Sequence, residues 1–139
     1  GRSRFNAPLP ISRQDGIRAL IRAIRPGRPT CYLPDLDYGR KDSIFVPFFG
    51  IPAATITGLS RLARLSKAVI LPVIVDQGAC GYVTRILPPW ENFPTKDLFA
   101  DTARMNAFIE QQVRLRPEQY YWVHRRFKTR PEGEPSLYE

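Results

Sequence analysis

Residues 30–50, TCYLPDLDYGRKDSIFVPFFG, decide how the rest of the chain is read. A short apolar run, Cys31, Tyr32 and Leu33, meets Pro34 and then two carboxylates, Asp35 and Asp37. Tyr38, Gly39, Arg40 and Lys41 follow, and a second apolar run, residues 44–49, carries Pro47 and closes at Gly50. In α/β sheets, ligands sit just past the carboxyl ends of strands, so a strand running into two acids, a glycine and two cations reads as a site. It reads also as a polar strand-to-turn connection held by aspartate caps. The residues alone leave both readings open.

Working outward, the spacing predicts helices on both sides. Ile17, Leu20, Ile21 and Ile24 fall at i, i+3, i+4 and i+7 behind Ser12 as a helix cap, and Pro26-Gly27 stops the pattern. Arg18, Arg22 and Arg25 take the other faces and read as a solvated surface. Residues 30–33 are expected as a short buried strand. Residues 44–49 are expected as an edge strand or a site-lining loop, because of Pro47. Residues 53–66 are expected as a helix through Ile56, Leu59, Leu62 and Ala63, with Gly58 tolerated for close packing. Residues 68–75, AVILPVIV, hold no charge and are expected as a central strand buried on both faces. Residues 82–87 alternate and predict a half-buried antiparallel hairpin partner for that strand. The longest expected helix is residues 96–115, with Phe99, Ala103, Met105, Phe108, Ile109, Gln112 and Val113 as its stripe. Residues 118–128 read as a short helix or turn rich in aromatics, and the tail from Thr129 as extended. The order of elements predicts an α/β fold of three layers, a small mixed sheet flanked by helices.

Composition narrows the class. A chain of 139 residues is long enough for one domain with its own core. Lys plus Arg outnumber Asp plus Glu 21 to 13, and the resulting +8 favours an anionic partner: nucleic acid, an acidic protein, a phosphorylated lipid or a membrane surface. The two cysteines, Cys31 and Cys80, have no metal-site spacing and form no disulfide framework; both are expected as buried free thiols. No apolar run reaches the roughly 20 residues of a membrane-spanning helix. Neither a metal nor a cofactor is expected: His124 is the only histidine, which speaks against a His-based metal site, and no glycine-rich phosphate loop occurs; no G-x-S-x-G elbow for an esterase occurs either. A His-x4-Asp/Glu pair would need an acid at position 129, which is Thr129, so His124 reads as structural or as a polar substrate contact. Arg125, Arg126, Lys128 and Arg130 are the densest cationic cluster and suit phosphate or carboxylate oxygens; a solvated basic tail is the plainer reading. Tyr120, Tyr121, Trp122 and Phe127 nearby suit base stacking as well as packing.

Three runs, YLPDLDYGRKDSIFVPFFG (residues 32–50), GLSRLARLSKAVILPVIV (residues 58–75) and PEQYYWVHRRFKTRPEG (residues 117–133), together resemble the late acyltransferases of lipid A biosynthesis. This lauroyl/myristoyl type lies in the lysophospholipid-acyltransferase-like superfamily. The resemblance covers nearly the whole chain in the right order. It implies a partial glycerolipid-acyltransferase-like fold, with residues 1–139 as the C-terminal part of a single acyltransferase domain. It implies transfer of a fatty acyl chain from an acyl carrier protein thioester to a hydroxyl of a Kdo-bearing lipid A precursor. The expected setting is the cytoplasmic face of the inner membrane, with the anchor and the His-x4-Asp/Glu base upstream of Gly1. By the same resemblance Arg2 is the catalytic candidate, near the thioester or phosphate. Asp35, Asp37, Tyr38 and Arg40 match the PDxDYG-R block, where the aspartates order arginines or hold the turn. His124, Arg125, Arg126, Lys128 and Arg130 complete the expected substrate-binding set. Phe45, Val46, Phe48 and Phe49 are expected to flank the acyl chain. The rival reading is a basic noncatalytic module for nucleic acid or an anionic membrane surface. Against nucleic acid, Asp35 and Asp37 beside the cations repel backbone phosphate.

Overall fold

The computed structural model describes residue 6 and residues 8–139. A single 3-10 turn, Arg13–Asp15, is the first regular element among the described residues. The Ser12 hydroxyl accepts from the Gln14 N–H at 2.9 Å, and the Asp15 carboxylate accepts from the Ser12 N–H at 2.6 Å, so Ser12 caps this turn and not, as expected, the helix that follows. Helix α1, Gly16–Ile24, carries Leu20, Ile21 and Ile24 half-buried against its neighbours and ends where the Gly27 N–H reaches the Ile24 carbonyl.

Residues 30–33 form no strand, contrary to expectation: Cys31 and Leu33 are exposed. A strand needs a neighbour for its N–H and C=O groups, and among the described residues none pairs with it. Strands β1, Ser43–Phe48, and β2, Ile51–Ile56, instead form an antiparallel hairpin with Pro47 opposite Pro52. Neither proline has an N–H to give, so this pair sits where β-pairing asks for none. The two-residue turn holds Phe49 at φ 51° and Gly50 at φ 76°. Such a turn suits hairpin twist but is costly for Phe. The Glu110 carboxylate compensates by accepting from the Phe49 N–H at 2.6 Å, with the Arg114 guanidinium over the Phe49 ring.

The expected helix over residues 53–66 is therefore two elements, β2 and then α2, Gly58–Ser66. Its apolar spacing was shared between a buried strand end and a helix face, and pairing with β1 claims residues up to Ile56. Gly58 suits the junction: a Cβ there would meet the Tyr32 hydroxyl, which would have to move.

The run at residues 68–75 is corrected too. Strand β3 spans Val73–Gly78 and pairs only with β4, Gly81–Ile86, antiparallel as predicted. Exposure alternates along it: Val69, Leu71, Val73 and Val75 face outward, while Pro72 and Asp76 are buried. Apolar residues on both sides predict two-sided burial, but only one side is covered among the described residues. Both thiols are exposed, because Cys31 lies in the unpaired segment and Cys80 in the β3–β4 turn.

Helix α3, Leu98–Leu115, is capped by the Asp97 carboxylate, which accepts from the Phe99 and Ala100 N–H groups. It crosses β1–β2 and closes the core around Val46, Phe48, Ala53, Ala54, Leu62, Ala63, Met105 and Val113. Its buried face is more polar than the expected stripe. Asp101, Thr102 and Asn106 are enclosed and Phe99 is exposed. Ser60 donates to the Asp101 carboxylate at 2.5 Å, and Asn106 Nδ2 donates to the Pro47 carbonyl and to Thr55 Oγ1. Partners built into the fold meet Asp101 and the Asn106 amide N–H groups, while Asn106 Oδ1 is buried without one. Among the described residues the architecture is α/β with two separate two-stranded antiparallel sheets and three α-helices, not one mixed sheet.

Candidate functional site

The turn at residues 34–39 and the segment at residues 120–134 meet over the outer side of β2. Asp37 is the junction, 3% exposed. Its backbone N–H donates to His124 Nε2 at 3.0 Å, across 87 residues of chain. Its carboxylate accepts from the Thr129 N–H at 2.9 Å, from Thr129 Oγ1 at 2.9 Å and from the Gly39 N–H at 2.8 Å. Arg40 donates to the Arg130 carbonyl at 2.8 Å, adding a second tie between the same two stretches. A carboxylate that satisfies three local donors locks a turn rather than abstracting a proton.

Arg126 lies deeper, also 3% exposed. Its guanidinium donates to the Ala54 carbonyl at 2.8 Å and to Thr55 Oγ1 at 2.6 Å, and sits over the Phe48 ring. Burial lowers its pKa, opposed by Tyr120, Asp37 and Asp35. Burial also pushes the Tyr120 phenol up to about 12, with the Asp35 carboxylate beside it adding to the rise. Arg130 donates to the Pro52 carbonyl at 2.9 Å and forms an ion pair with Glu134.

The site therefore has a base and a rim. Asp37, Thr129, Arg126 and Arg130 are spent on the protein itself, with half-buried His124 and Asp35 beside them. Tyr38, Arg40, Lys41, Arg125 and Lys128 are exposed. His124 presents a lone pair to a backbone N–H, so its Nε2 carries no proton in this arrangement. Of the expected acyl-flanking residues, Val46 and Phe48 are in the core and turned away from any ligand; Phe45 and Phe49 are half-buried. Arg2 lies outside the described residues. Sequence reasoning passed over Thr129, noted only as the wrong residue for a catalytic acid, and Thr55 and Glu134; it named Tyr120 only as an aromatic for stacking or packing. Thr129 sits where a small hydroxyl can answer Asp37, a role that no spacing rule announces.

Residues 1–129 match the family described as bacterial lipid A biosynthesis acyltransferase. The chain belongs to that family. It is 43% identical to the lipid A biosynthesis lauroyltransferase of Escherichia coli K12 and 45% identical to the palmitoleoyltransferase of the same organism. Each match covers 99% of this chain and 45% of the relative. A Haemophilus influenzae lipid A biosynthesis acyltransferase is 39% identical over the whole chain and 46% of its own length. The chain thus spans a little under half the length of these relatives. Among the described residues no helix is long and apolar enough to cross a membrane.

Proposed function

We propose that these residues form the C-terminal part of a single acyltransferase domain acting in lipid A biosynthesis. The donor is an acyl carrier protein thioester and the acceptor a hydroxyl of a phosphorylated, Kdo-bearing lipid A precursor, at the cytoplasmic face of the inner membrane. The observation that carries the reading is the Asp37 junction, which brings the two most specific family motifs, PDLDYG and HRRFKTR, together from opposite ends of the chain.

In this reading the acceptor hydroxyl attacks the thioester carbonyl and gives its proton to the histidine of a His-x4-Asp/Glu pair outside this chain. Cationic or backbone donors hold the oxyanion, with Arg2 as a candidate; the intermediate collapses to the new ester and the carrier's thiol leaves. The described residues supply head-group recognition. The exposed forks of Arg40 and Arg125, with Lys128 and Tyr38, meet phosphate oxygens. Asp35, Asp37, His124, Arg126 and Arg130 hold that rim in place from beneath. The Asp37 carboxylate is buried beneath the rim, with its lone pairs turned to Thr129 and Gly39 rather than outward.

The test is steady-state transfer by the full-length protein. Replacing Arg125 and Lys128 together by Ala is expected to raise the KM for the acceptor about ten-fold or more, since charge-assisted contacts contribute roughly 1.5–3 kcal/mol each. The thioester KM should move little. Absence of transfer to a lipid A-type acceptor, or an unchanged acceptor KM in the double variant, sinks the reading.

A further inference from the structure

The positive charge of this chain is concentrated on a face that the motif site does not use. Residues 16–34 carry Arg18, Arg22, Arg25 and Arg28 and no carboxylate. Residues 43–75 carry Arg61, Arg64 and Lys67 and no carboxylate. These two stretches alone account for seven of the eight net positive charges. They contain α1 and α2, which pack together, and the Arg25 guanidinium donates to the Leu65 carbonyl at the end of α2. All seven cations are exposed. Among the described residues none of them is in an ion pair; the four ion pairs lie at Asp76, Glu110 and Glu134. An ordinary solvated surface mixes signs, and neither of these stretches carries an acid, although exposed Asp15 directly precedes the first and Arg64 donates to the Thr95 carbonyl.

The spacing is regular. Arg18, Arg22 and Arg25 fall at i, i+4 and i+7, one stripe about 10 Å long on α1. Arg61 and Arg64 fall at i and i+3 on α2. We infer that the α1–α2 face docks an acidic protein helix, with carboxylates at similar spacing set against the arginine stripe. Under the reading above, on which this partner assignment rests, the acidic protein is the carrier that brings the acyl thioester. A lipid surface fits less well. A helix lying in a membrane interface sinks its apolar side among the lipids, whereas the apolar side of α1, Leu20, Ile21 and Ile24, is half-buried within the protein. What remains outward is arginine, with Ile17 and Leu65 as isolated apolar points. Complementary charge of this kind steers encounter and sets salt dependence.

The test measures binding of the 139-residue chain to labelled acyl carrier protein and, separately, to phosphatidylglycerol vesicles. Wild-type binding to the carrier is expected to weaken as salt rises. Arg18→Glu with Arg22→Glu should weaken it about ten-fold or more, while Arg18→Lys with Arg22→Lys should retain most of it, which separates charge from misfolding. Unchanged carrier binding by the Glu variant overturns the inference. So does a loss confined to vesicles, which would make this a membrane face. In the full-length protein, the Glu variant should raise the KM for the carrier thioester and leave that for an acyl-pantetheine thioester unchanged. If the wild type turns over neither thioester, the proposed reaction falls, and the binding result still decides for or against the docking face.

Discussion

Asp37 shows how one buried carboxylate converts sequence distance into a site. Three donors converge on it, and its own N–H fixes the His124 ring. Asp37→Asn replaces one acceptor oxygen by an NH2 group that faces donors. The cost expected is roughly 1–3 kcal/mol of stability, read as a drop in the denaturant midpoint; a change below about 0.5 kcal/mol would show that the junction is not held as described. Glu110 offers a pH test. The Arg114 hydrogen bond, then the Phe49 N–H, holds its carboxyl below the usual range. A lowered folded pKa means the stabilisation is present above the unfolded value, about 4.3, and is lost as pH falls through the folded one. Glu110→Gln should therefore lower Tm at neutral pH and differ progressively less from wild type in acid. Exposure to solvent keeps this effect small. A gap that persists undiminished in acid would contradict the assignment. Burial sends the phenols of Tyr32 and Tyr120 up to about 12. Their neutral forms are favoured in the folded state, so that contribution holds below about pH 10 and is lost as pH rises toward 12. Ultraviolet titration of the six tyrosines should retain a late component near pH 12; a titration complete well before that would refute the burial of both rings.

The two hairpins differ in what covers them. β1–β2 carries Val46, Phe48, Ala53, Ala54 and Thr55 wholly inside, against α3 and the Arg126 fork. In β3–β4 every residue of β4 is exposed, and only Asp76 of β3 is buried, held by Arg85 and Arg116. The Gln119 amide adds a clamp on both backbone groups of Gln77. Local opening follows burial and contact density. In the 139-residue chain, amides of β3–β4 are expected to exchange at least ten-fold faster than the paired amides of β1–β2, roughly the factor carried by 1.4 kcal/mol. Equal or slower exchange in β3–β4 would return residues 68–75 to the role of a central strand.

At the scale of the molecule, catalysis and recognition separate. The chain holds one histidine, its Nε2 is engaged by the Asp37 N–H, and Thr129 stands where a catalytic acid would. We expect the purified 139-residue chain to show no transfer from an acyl carrier protein thioester to a lipid acceptor above a buffer control. Measurable turnover would mean that these residues contain a base of their own. The charge distribution belongs to this scale too: only the packing of α1 on α2 brings two separate arginine patterns next to each other.

Motif chemistry and much of the local structure were legible in the residues themselves. PDLDYG and HRRFKTR carry the family, Ser12 caps a turn through its own hydroxyl, and the alternation at residues 82–87 predicts the β4 pairing, because these depend on neighbours in sequence. What failed depended on partners elsewhere. Residues 30–33 and 68–75 have strand composition, yet a strand exists only where another chain segment meets its hydrogen bonds. The helix expected over residues 53–66 yielded its first half to β1 for the same reason. The burial of Arg126 could not be read from its place in a cationic run. It needs the Ala54 carbonyl and Thr55 Oγ1, brought to it across 72 and 71 residues. The sequence by itself determined the two motifs that meet at the candidate site; tertiary structure decided which of their groups are spent on holding it, and added Thr55, Thr129 and Glu134, because burying a polar group requires partners that only the fold brings near.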